Sequence, residues 1–492
     1  MGSLWSSCGC LRPWRIAVSL ACLAPNASRG QVVNPRTIPV QQSGQFDIFP
    51  SKLAGMAGVS LALDDTLLDP FVNPAKAIRV GAVMGLSVPG FHHISQGGGG
   101  GNTIPAGVLF SRRGWAGGGL LASQRLSEIR PVSPTGARIH PHNEYFSALL
   151  ARQMSRGVTL GLSAYSARLG GLDALSQLYA GSDGVEVSGR QFDFRAGLLK
   201  EWRNHRSLEL LLLHGKSDIT HDAVLLTQTW DPIRRQFSSA PRLEHNDDRT
   251  RFWGLHTEST LPLDTLGSRI GLLFTANRIT HPKIPNYPLV NIPRDPGVTH
   301  GFNVGIGIGT ALGGTMFGLD LVYEPIWTNT WATTGENIET DDGNLVPAGS
   351  KTIENWFRFS NVKVRAGLSR EIRLEADSAL RFVAQVGIAF ASTSYSLLQQ
   401  DNVALTRRDR QFEWVDWEPT IGFALRVRSF EARYALQATC GPNSCVFARG
   451  DDVSLSPDTP RSVGIAVPVN GPADFHYGSL VSHRFTITLG RR

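Results

Sequence analysis

The chain has 492 residues and a formal net charge of +7, with no long run of lysine and arginine. This mild, dispersed charge argues against nucleic-acid binding, which depends on dense basic surfaces. Charged residues make up only 18% of the chain and glycine contributes 52 residues, which favours strands and tight turns over long helices. A chain of this length forms either two or three ordinary domains or one large β-barrel.

The first thirty residues, 1–30, have the features of a secretory signal peptide. Arg12 and Arg15 form a basic start, and a short apolar stretch follows from Ile16 to Ala24, with small residues after it. The apolar stretch is too short to cross a bilayer as a helix. We therefore expect an exported protein.

Only two cysteines follow the signal segment, in Cys440-Gly-Pro-Asn-Ser-Cys445. Two cysteines on either side of a tight turn in an exported chain predict a local disulfide. A metal-binding pair is the alternative, although no third or fourth ligand lies nearby in the sequence.

Residues 31–76 differ in kind from everything that follows. A polar, irregular part leads into residues 51–75, which are rich in small residues, then acidic, and end in Asn-Pro-Ala. One short helix is expected over Lys52 to Leu63. Because large side chains are scarce, this region cannot build a domain core, and we predict that it forms a plug inside the rest of the chain.

From about residue 77 to the C-terminus the sequence alternates with a period of two. In the last alternating segment the apolar face carries Val481, His483, Phe485, Ile487 and Leu489. The opposite face of such segments is small, polar or charged. No segment has 18 uninterrupted apolar residues, so transmembrane helices are not expected, whereas membrane strands with lipid outside and a polar interior give this pattern.

Seven very short connections alternate with eight long polar ones, which gives sixteen strands with both ends of the barrel on the short-turn side. A weak pair at 105–112 and 115–125 would reduce the count to fourteen. Short turns on one side and long loops on the other are typical of bacterial outer-membrane barrels. The long loops are expected at 89–104, 127–140, 170–188, 219–248, 281–297, 327–352, 393–412 and 440–475.

The predicted fold class is therefore all-β. Residues 77–492 form a transmembrane antiparallel β-barrel of about 14–16 strands with long external loops, set in the bacterial outer membrane. Residues 31–76 form a short N-terminal plug, or hatch, that contains a small helix.

Within the plug, Ala54-Gly55-Met56-Ala57-Gly58 is followed by Asp64-Asp65 and then by Asn73-Pro74-Ala75. This order resembles the N-terminal region of the FadL/PorV-like outer-membrane barrels, the fatty-acid and hydrocarbon transporters. The resemblance implies that the segment folds into the lumen and that hydrophobic small molecules such as fatty acids pass by passive diffusion, without a cofactor. Some members of that family act in secretion or surface attachment, so a role as an interaction protein with a periplasmic or secreted partner is the alternative.

Three adjacent glycines, Gly117, Gly118 and Gly119, lie in the third predicted strand. Glycines within a strand favour a bulge or kink. In the resembled family a kink in the third strand opens a lateral exit into the bilayer, and we adopt this as the functional hypothesis. The alternative is close packing of the plug against a wall without side chains.

The plug carboxylates Asp64, Asp65 and Asp69 are expected to pair with basic residues on the inner face of the wall, because charges inside a barrel need partners or water. Cation binding by the three carboxylates is the alternative. By alternation, the lumen-facing bases are Arg195, Lys363, Arg365, Arg381, Arg426, Arg433 and Arg484. A site for a carboxylate or another anion, formed by the same arginines, stays open.

The five-glycine run Gly97–Gly101 lacks the strand-to-helix context of a phosphate loop and is expected to be a mobile external loop. His92-His93 and His140-Pro-His142 lack carboxylate or cysteine partners at ligand spacing, so no metal site is expected. Sequence signatures of an enzyme are absent and we expect none. A barrel-borne hydrolase that assembles serine, histidine and acid from distant strands is the remaining alternative.

Overall fold

The fold was analysed in a computed structural model. It describes residues 44–81, 84–94, 99–127, 141–173, 182–231, 233, 235–265, 267–280, 297–373, 379–439, 465–469, 474–478 and 480–490. The predicted signal peptide, the first part of the plug and the predicted disulfide between Cys440 and Cys445 lie outside these residues.

Sixteen antiparallel strands form one closed sheet, which confirms the predicted fold class and the higher strand count. The first strand, β1, consists of Met84–Ser87 and Gly90–Ile94. The others are β2 (Gly99–Arg112), β3 (Trp115–Leu126), β4 (His142–Ser155), β5 (Val158–Leu169), β6 (Ser182–Glu201), β7 (Ser207–Asp231), β8 (Gln236–Pro262), β9 (Arg269–Thr280), β10 (Val298–Leu312), β11 (Thr315–Thr333), β12 (Lys351–Arg373), β13 (Leu380–Asp401), β14 (Thr406–Val427), β15 (Phe430–Ala438) and β16 (Leu480–Gly490).

The barrel closes through β1, which pairs with β2 on one side and with β16 on the other. Pro89 interrupts this strand because it has no N–H to donate. The interruption does not open the wall, since the Val88 N–H donates to the Pro105 carbonyl at 3.1 Å and the Phe485 N–H donates to the Pro89 carbonyl at 2.8 Å. Two small hairpins lie outside the barrel sheet, Ile338–Glu339 with Leu345–Val346 and Ile465–Val469 with Asp474–Gly478.

The outer face of the wall carries a belt of exposed apolar side chains. On β7, for example, the successive outward residues Leu208, Leu210 and Leu212 have 42%, 41% and 53% of their surface exposed. Continuous apolar exposure of this kind is unfavourable in water and is stabilised by the hydrocarbon core of a bilayer. The predicted alternation therefore places the apolar face outward.

Several segments predicted as long loops are strands. Most of 219–248 belongs to the paired ends of β7 and β8, and most of 393–412 to those of β13 and β14. The external-loop prediction for the glycine run is also wrong at Gly99–Gly101, which pair with β1 as part of β2. Beyond the apolar belt both faces of a strand are polar, so the hydrophobic alternation disappears although the backbone pairing continues.

The helical structure is short. Among the described residues it comprises the 3-10 turns Gly44–Phe46 and Ala54–Met56, the one-turn α-helix Asp69–Val72 and the 3-10 helix Pro74–Val80. The helix predicted over residues 52–63 is reduced to the one turn, because Ala57 adopts a left-handed conformation with φ 55° and ends it. In the described residues no helix has the length and apolar character needed to span a membrane.

Candidate functional site: the plugged lumen

The described part of the plug, residues 44–76, lies in the lumen and is enclosed by the barrel wall. Its side chains are largely buried, with Met56, Val59 and Leu61 all 0% exposed. The Ala54–Met56 turn contacts β12 to β15, whereas the Pro74–Val80 helix contacts β2 to β6. The two ends of the plug are therefore held by two different sectors of the wall.

Glycines on the inner face of the wall receive the plug backbone. A Cβ atom on Gly387 would lie 2.3 Å from the Met56 carbonyl carbon, and one on Gly271 would lie 1.8 Å from the Leu61 oxygen. Similar clashes with plug backbone atoms would occur at Gly161, Gly367 and Gly422, and clashes with plug side chains at Gly197, Gly307, Gly309 and Gly318. A side chain at a position that faces backbone would displace the plug, since backbone atoms have little freedom to move away.

A buried ion pair in the wall holds the middle of the plug. The Arg365 Nη2 atom lies 3.0 Å from Asp320 Oδ2, with both side chains 1% exposed or less. Arg365 also donates from Nη1 to the Gly58 carbonyl at 2.7 Å, and Asp320 Oδ2 accepts from the Ser60 N–H at 2.9 Å. The pair thus satisfies two backbone groups that have no partner within the plug, which offsets part of the cost of burying two charges.

Arg195, on β6, also binds backbone groups of the plug. It forms a two-point pair with Asp193, and its Nη1 atom donates to the carbonyls of Phe71 at 3.1 Å and Val72 at 3.3 Å. These are carbonyls at the C-terminal end of the α-helix, where the helix itself leaves them without donors. A cation at this end is also favoured by the helix dipole.

Asn73 connects the Asn-Pro-Ala turn to the wall. Its Oδ1 atom accepts from the Ala75 N–H at 3.1 Å and so caps the 3-10 helix, and its Nδ2 atom donates to Glu209 Oε2 at 3.2 Å. Gly197 makes room for this side chain, since a Cβ there would lie 2.0 Å from Asn73 Oδ1. The Asn73 side chain is fully buried.

Lys76 completes this buried cluster. Its ammonium lies 2.8 Å from Glu209 Oε1 and 3.3 Å from Asp69 Oδ2. Burial by itself would lower the pKa of Lys76, but Asp69 and Glu209 raise it above its ordinary value. The lysine therefore stays charged and bridges the plug helix to β7.

The plug acids pair differently from the prediction. Asp65 organises the plug internally, accepting from the Ser51 hydroxyl at 2.5 Å and from the Lys52 N–H at 3.0 Å. Asp64 pairs with Arg79 at 2.9 Å and with Arg269 of β9 at 2.7 Å. Asp69 pairs with Lys76, within the plug. None of the three forms an ion pair with a predicted wall base among the described contacts. Alternation shows which side chains face the lumen, but the depth of the plug and the strand register decide which charged groups come into contact.

The predicted wall bases face other partners. Arg381 and Arg426 both bind Glu371 at 2.8 Å, and Arg426 also binds Glu431 at 2.6 Å. Arg433 pairs with Glu431 and donates to the Lys52 carbonyl at 3.2 Å. Of the remaining two, Lys363 is buried on the inner face and Arg484 pairs with Asp47.

The three-glycine segment of β3 contains no bulge. Its pairing with β2 and β4 runs without a register shift from Trp115 to Arg125. A bulge at Gly117, Gly118 and Gly119 is therefore excluded, whereas the lateral exit stays a prediction. These glycines make room for their neighbours within the sheet, since a Cβ on Gly118 would lie 2.2 Å from the Val108 oxygen.

An apolar stripe lines the inner face of β2 to β7. It belongs to one continuous cluster of buried residues that includes Leu120, Tyr145, Tyr165, Val187 and Ile219. The plug contributes Phe49 and Phe71, whose rings stack with their centres 4.8 Å apart. The sequence contained a signal for this stripe, because inward positions of these strands carry leucine, tyrosine and valine where a uniform polar interior was expected.

One described histidine, His92, makes a buried structural contact. His92 lies with its Nε2 atom 2.7 Å from Asp173 Oδ2, and Asp173 Oδ1 accepts from the Gly100 N–H at 3.0 Å. Among the described residues there is no group of three side chains suited to hold a metal ion.

The fold and the site define a class: a plugged β-barrel with sixteen strands, a lipid-facing exterior and the architecture of bacterial outer-membrane proteins. No family model matches the chain, and no curated protein matches it.

Several solved structures are similar to this chain at low identity. A Pseudomonas aeruginosa FadL homologue is 10% identical over 92% of this chain and 98% of that chain, with a TM-score of 0.43. A bacterial polysaccharide outer membrane secretin is 8% identical over 84% and 99%, with a TM-score of 0.37. The ferric-catecholate import receptor Fiu of E. coli K12 is 8% identical over 83% and 81%, with a TM-score of 0.34. These likenesses assign neither a family nor a cargo.

Proposed function

We propose that this protein is an outer-membrane channel for the passive uptake of hydrophobic small molecules, with fatty acids as the first candidates. The plug closes the lumen, and transport consists of binding and diffusion without a chemical step. The proposal rests on one observation, the apolar stripe on the inner face of β2 to β7.

The stripe extends along most of the lumen. Val187 and Ile219 lie above the level at which the outer face of β6 and β7 becomes polar, whereas Ala116 lies near the short-turn end of β3. A water-filled pore has a polar inner face, because water and polar solutes gain nothing from an apolar wall. A continuous apolar path instead lowers the free energy of an apolar solute in proportion to the area it covers.

The plug takes part in this path. Phe49 and Phe71 cover the middle of the stripe, so a displacement of the plug there uncovers apolar surface. An apolar molecule that enters the lumen can take the place of the two phenylalanine rings, so that the apolar wall is never exposed to water. We infer that cargo competes with the plug for the same wall.

The proposal is tested with the full chain in liposomes. Influx of a fluorescent fatty acid is measured for the wild type and for a Val187→Asn/Ile219→Asn variant, which makes the upper stripe polar without touching the plug residues. We expect wild-type influx well above that of empty liposomes and a several-fold reduction in the variant.

Two controls sharpen the result. Thr393→Asn changes an inward residue of β13, away from the stripe, and is expected to leave influx unchanged. A hydrophilic disaccharide is expected to stay outside. If the disaccharide enters as fast as the fatty acid, or if the stripe variant folds normally and transports normally, the proposal is wrong.

A further inference from the structure

The outer face of four successive strands turns basic at one level, at the upper edge of the apolar belt. Just above the belt, β6 to β9 carry the outward bases Arg190, Lys216, Arg251 and Arg278. We call these four residues the basic band. All four are exposed, and each lies nine to eleven residues from the short-turn end of its strand, on the far side of the belt. In barrels of this architecture that side faces the cell exterior, so the band lies at the outer leaflet.

The band is continuous across the sheet. Lys216 and Arg251 are direct cross-strand partners, and Arg278 is the partner of Trp253, the next outward residue below Arg251. Trp253 stacks on His214 with ring centres 4.0 Å apart. Aromatic rings of this kind mark the interface between hydrocarbon and headgroups. The basic band therefore lies at headgroup height.

Most of this charge is uncompensated. Arg190, Arg251 and Arg278 form no ion pair with a described residue, whereas Lys216 pairs with Asp218. Next to the band, Arg249 pairs with Asp247 at 3.0 Å. Lys216, Arg251, Arg249 and both aspartates line an open groove of about 580 Å³ on the outer surface.

The basic layer lies on one side of the barrel, since exposed outward bases also occur on β3, at Arg125, and on β5, where Arg168 is the cross-strand partner of Arg190. On β13 and β14 the corresponding outward positions are Ser394 and Glu413, and the serine hydroxyl donates to the carboxylate at 3.4 Å. Basic side chains that merely extend from the belt towards water would be expected all around the barrel. Concentration on one side of the barrel, from β3 to β9, favours a specific anionic neighbour.

We propose that the basic band binds the phosphate groups of an anionic lipid in the outer leaflet. Arginine matches phosphate through two parallel N–H donors, and three unpaired arginines at headgroup height supply them. The lipid chains lie against the outward apolar residues below, such as Phe192 and Leu212. This site is on the outside of the wall and is independent of transport through the lumen.

The test uses the purified full chain in a neutral detergent and native mass spectrometry. The probes are a bis-phosphorylated lipid A, phosphatidylethanolamine and inorganic phosphate. We expect the lipid A to bind the wild type and phosphatidylethanolamine to bind much more weakly. In an Arg190→Gln/Lys216→Gln/Arg251→Gln/Arg278→Gln variant the affinity should fall roughly a hundredfold or more, since each basic residue near an anionic surface contributes about fivefold.

A matched variant removes four outward bases at the opposite edge of the belt. It carries Arg112→Gln, Arg152→Gln, Lys200→Gln and Arg370→Gln, and it should bind lipid A as the wild type does. Circular dichroism of both variants establishes that the barrel is intact. Equal losses in the two variants, equal affinity for both lipids, or complete displacement of the lipid by inorganic phosphate would each overturn the proposal.

Discussion

The plug is held by two sectors of the wall in two different ways. Residues 52–63 lie against β9 to β14, where wall glycines accept the plug backbone and the Asp320–Arg365 pair binds the backbone groups of residues 58–60. Residues 69–76 lie against β2 to β7, where Asn73, Lys76 and Asp69 meet Glu209 in a buried polar cluster.

These two kinds of contact show how a segment with few large side chains can still be held in one position. The first half depends on shape, because removal of wall side chains lets two backbones approach closely. The second half also packs closely, at Gly161 and Gly197, and it depends in addition on side-chain chemistry, since buried polar groups are costly unless each one has its partner. Asp64 stands between the halves and ties both to the rim through Arg79 and Arg269.

The largest effect is expected from filling one wall glycine. In Gly387→Leu the new side chain meets the backbone of Met56 and Ala57, so residues 53–61 should leave the wall at a cost of at least about 3 kcal/mol. Hydrogen–deuterium exchange of their amides should rise sharply, while the amides of residues 74–80 stay protected. Planar-bilayer recordings should show increased conductance.

The matched control for this variant is Gly301→Leu, another inward glycine, where a Cβ atom meets nothing closer than Ile326 at 3.8 Å. It should leave exchange and conductance unchanged. If Gly387→Leu also frees residues 74–80, the two halves of the plug are one cooperative unit and the comparison fails.

An intermediate effect is expected at Asn73. Replacement by alanine removes a helix cap and leaves one oxygen of Glu209 without its donor, which should destabilise residues 74–80 by about 1–2 kcal/mol. Exchange protection of these amides measures the loss, and the amides of residues 53–61 should be unaffected. Asn73→Ser keeps a capping oxygen but is too short to reach Glu209, so its effect should be smaller; an effect as large as that of alanine would show that the cap contributes nothing.

The smallest effect is expected at the rim. Burial favours the neutral carboxyl of Asp64, but Arg79 and Arg269 outweigh it and hold the pKa of this group below its ordinary value. The ion pairs therefore stabilise the fold above the ordinary carboxyl pKa, about 4, and this stabilisation is lost as the pH falls through the lowered pKa.

A double-mutant cycle with Asp64→Asn and Arg269→Gln tests this pH dependence. The coupling energy should be below about 1 kcal/mol at neutral pH, since the pair is partly exposed to solvent, and should vanish in strong acid. A coupling that persists unchanged when the carboxylate is protonated would mean that the contact is not an ion pair.

The charged residues of the wall show where prediction from sequence stops. Alternation placed Arg195, Arg365 and Arg433 on the inner face, and all three contact the plug there. It did not supply their partners. Arg365 contacts Asp320 because the register of the adjacent strands β11 and β12 makes the two residues cross-strand partners. Asp64 contacts Arg269, a wall base that was not predicted to face the lumen.

The glycines also show what the sequence did not predict. The adjacent glycines at 117–119 attracted the prediction of a kink, yet the residues that make room for the plug are single inward glycines such as Gly271 and Gly387. In the sequence, such a glycine can be recognised only as a single glycine at an inward position of a strand with alternating side chains. That signal becomes meaningful only once another segment is known to lie against that face.

The antiparallel barrel, a count of fourteen to sixteen strands and a small-residue N-terminal segment are predictable from sequence alone, because alternation, turn length and composition are local properties of the chain. Tertiary structure decided where the strands end, which charges pair, which glycines face the plug and that part of the lumen is apolar. These features depend on register and on the depth of the plug, which arise only when segments hundreds of residues apart are brought into contact.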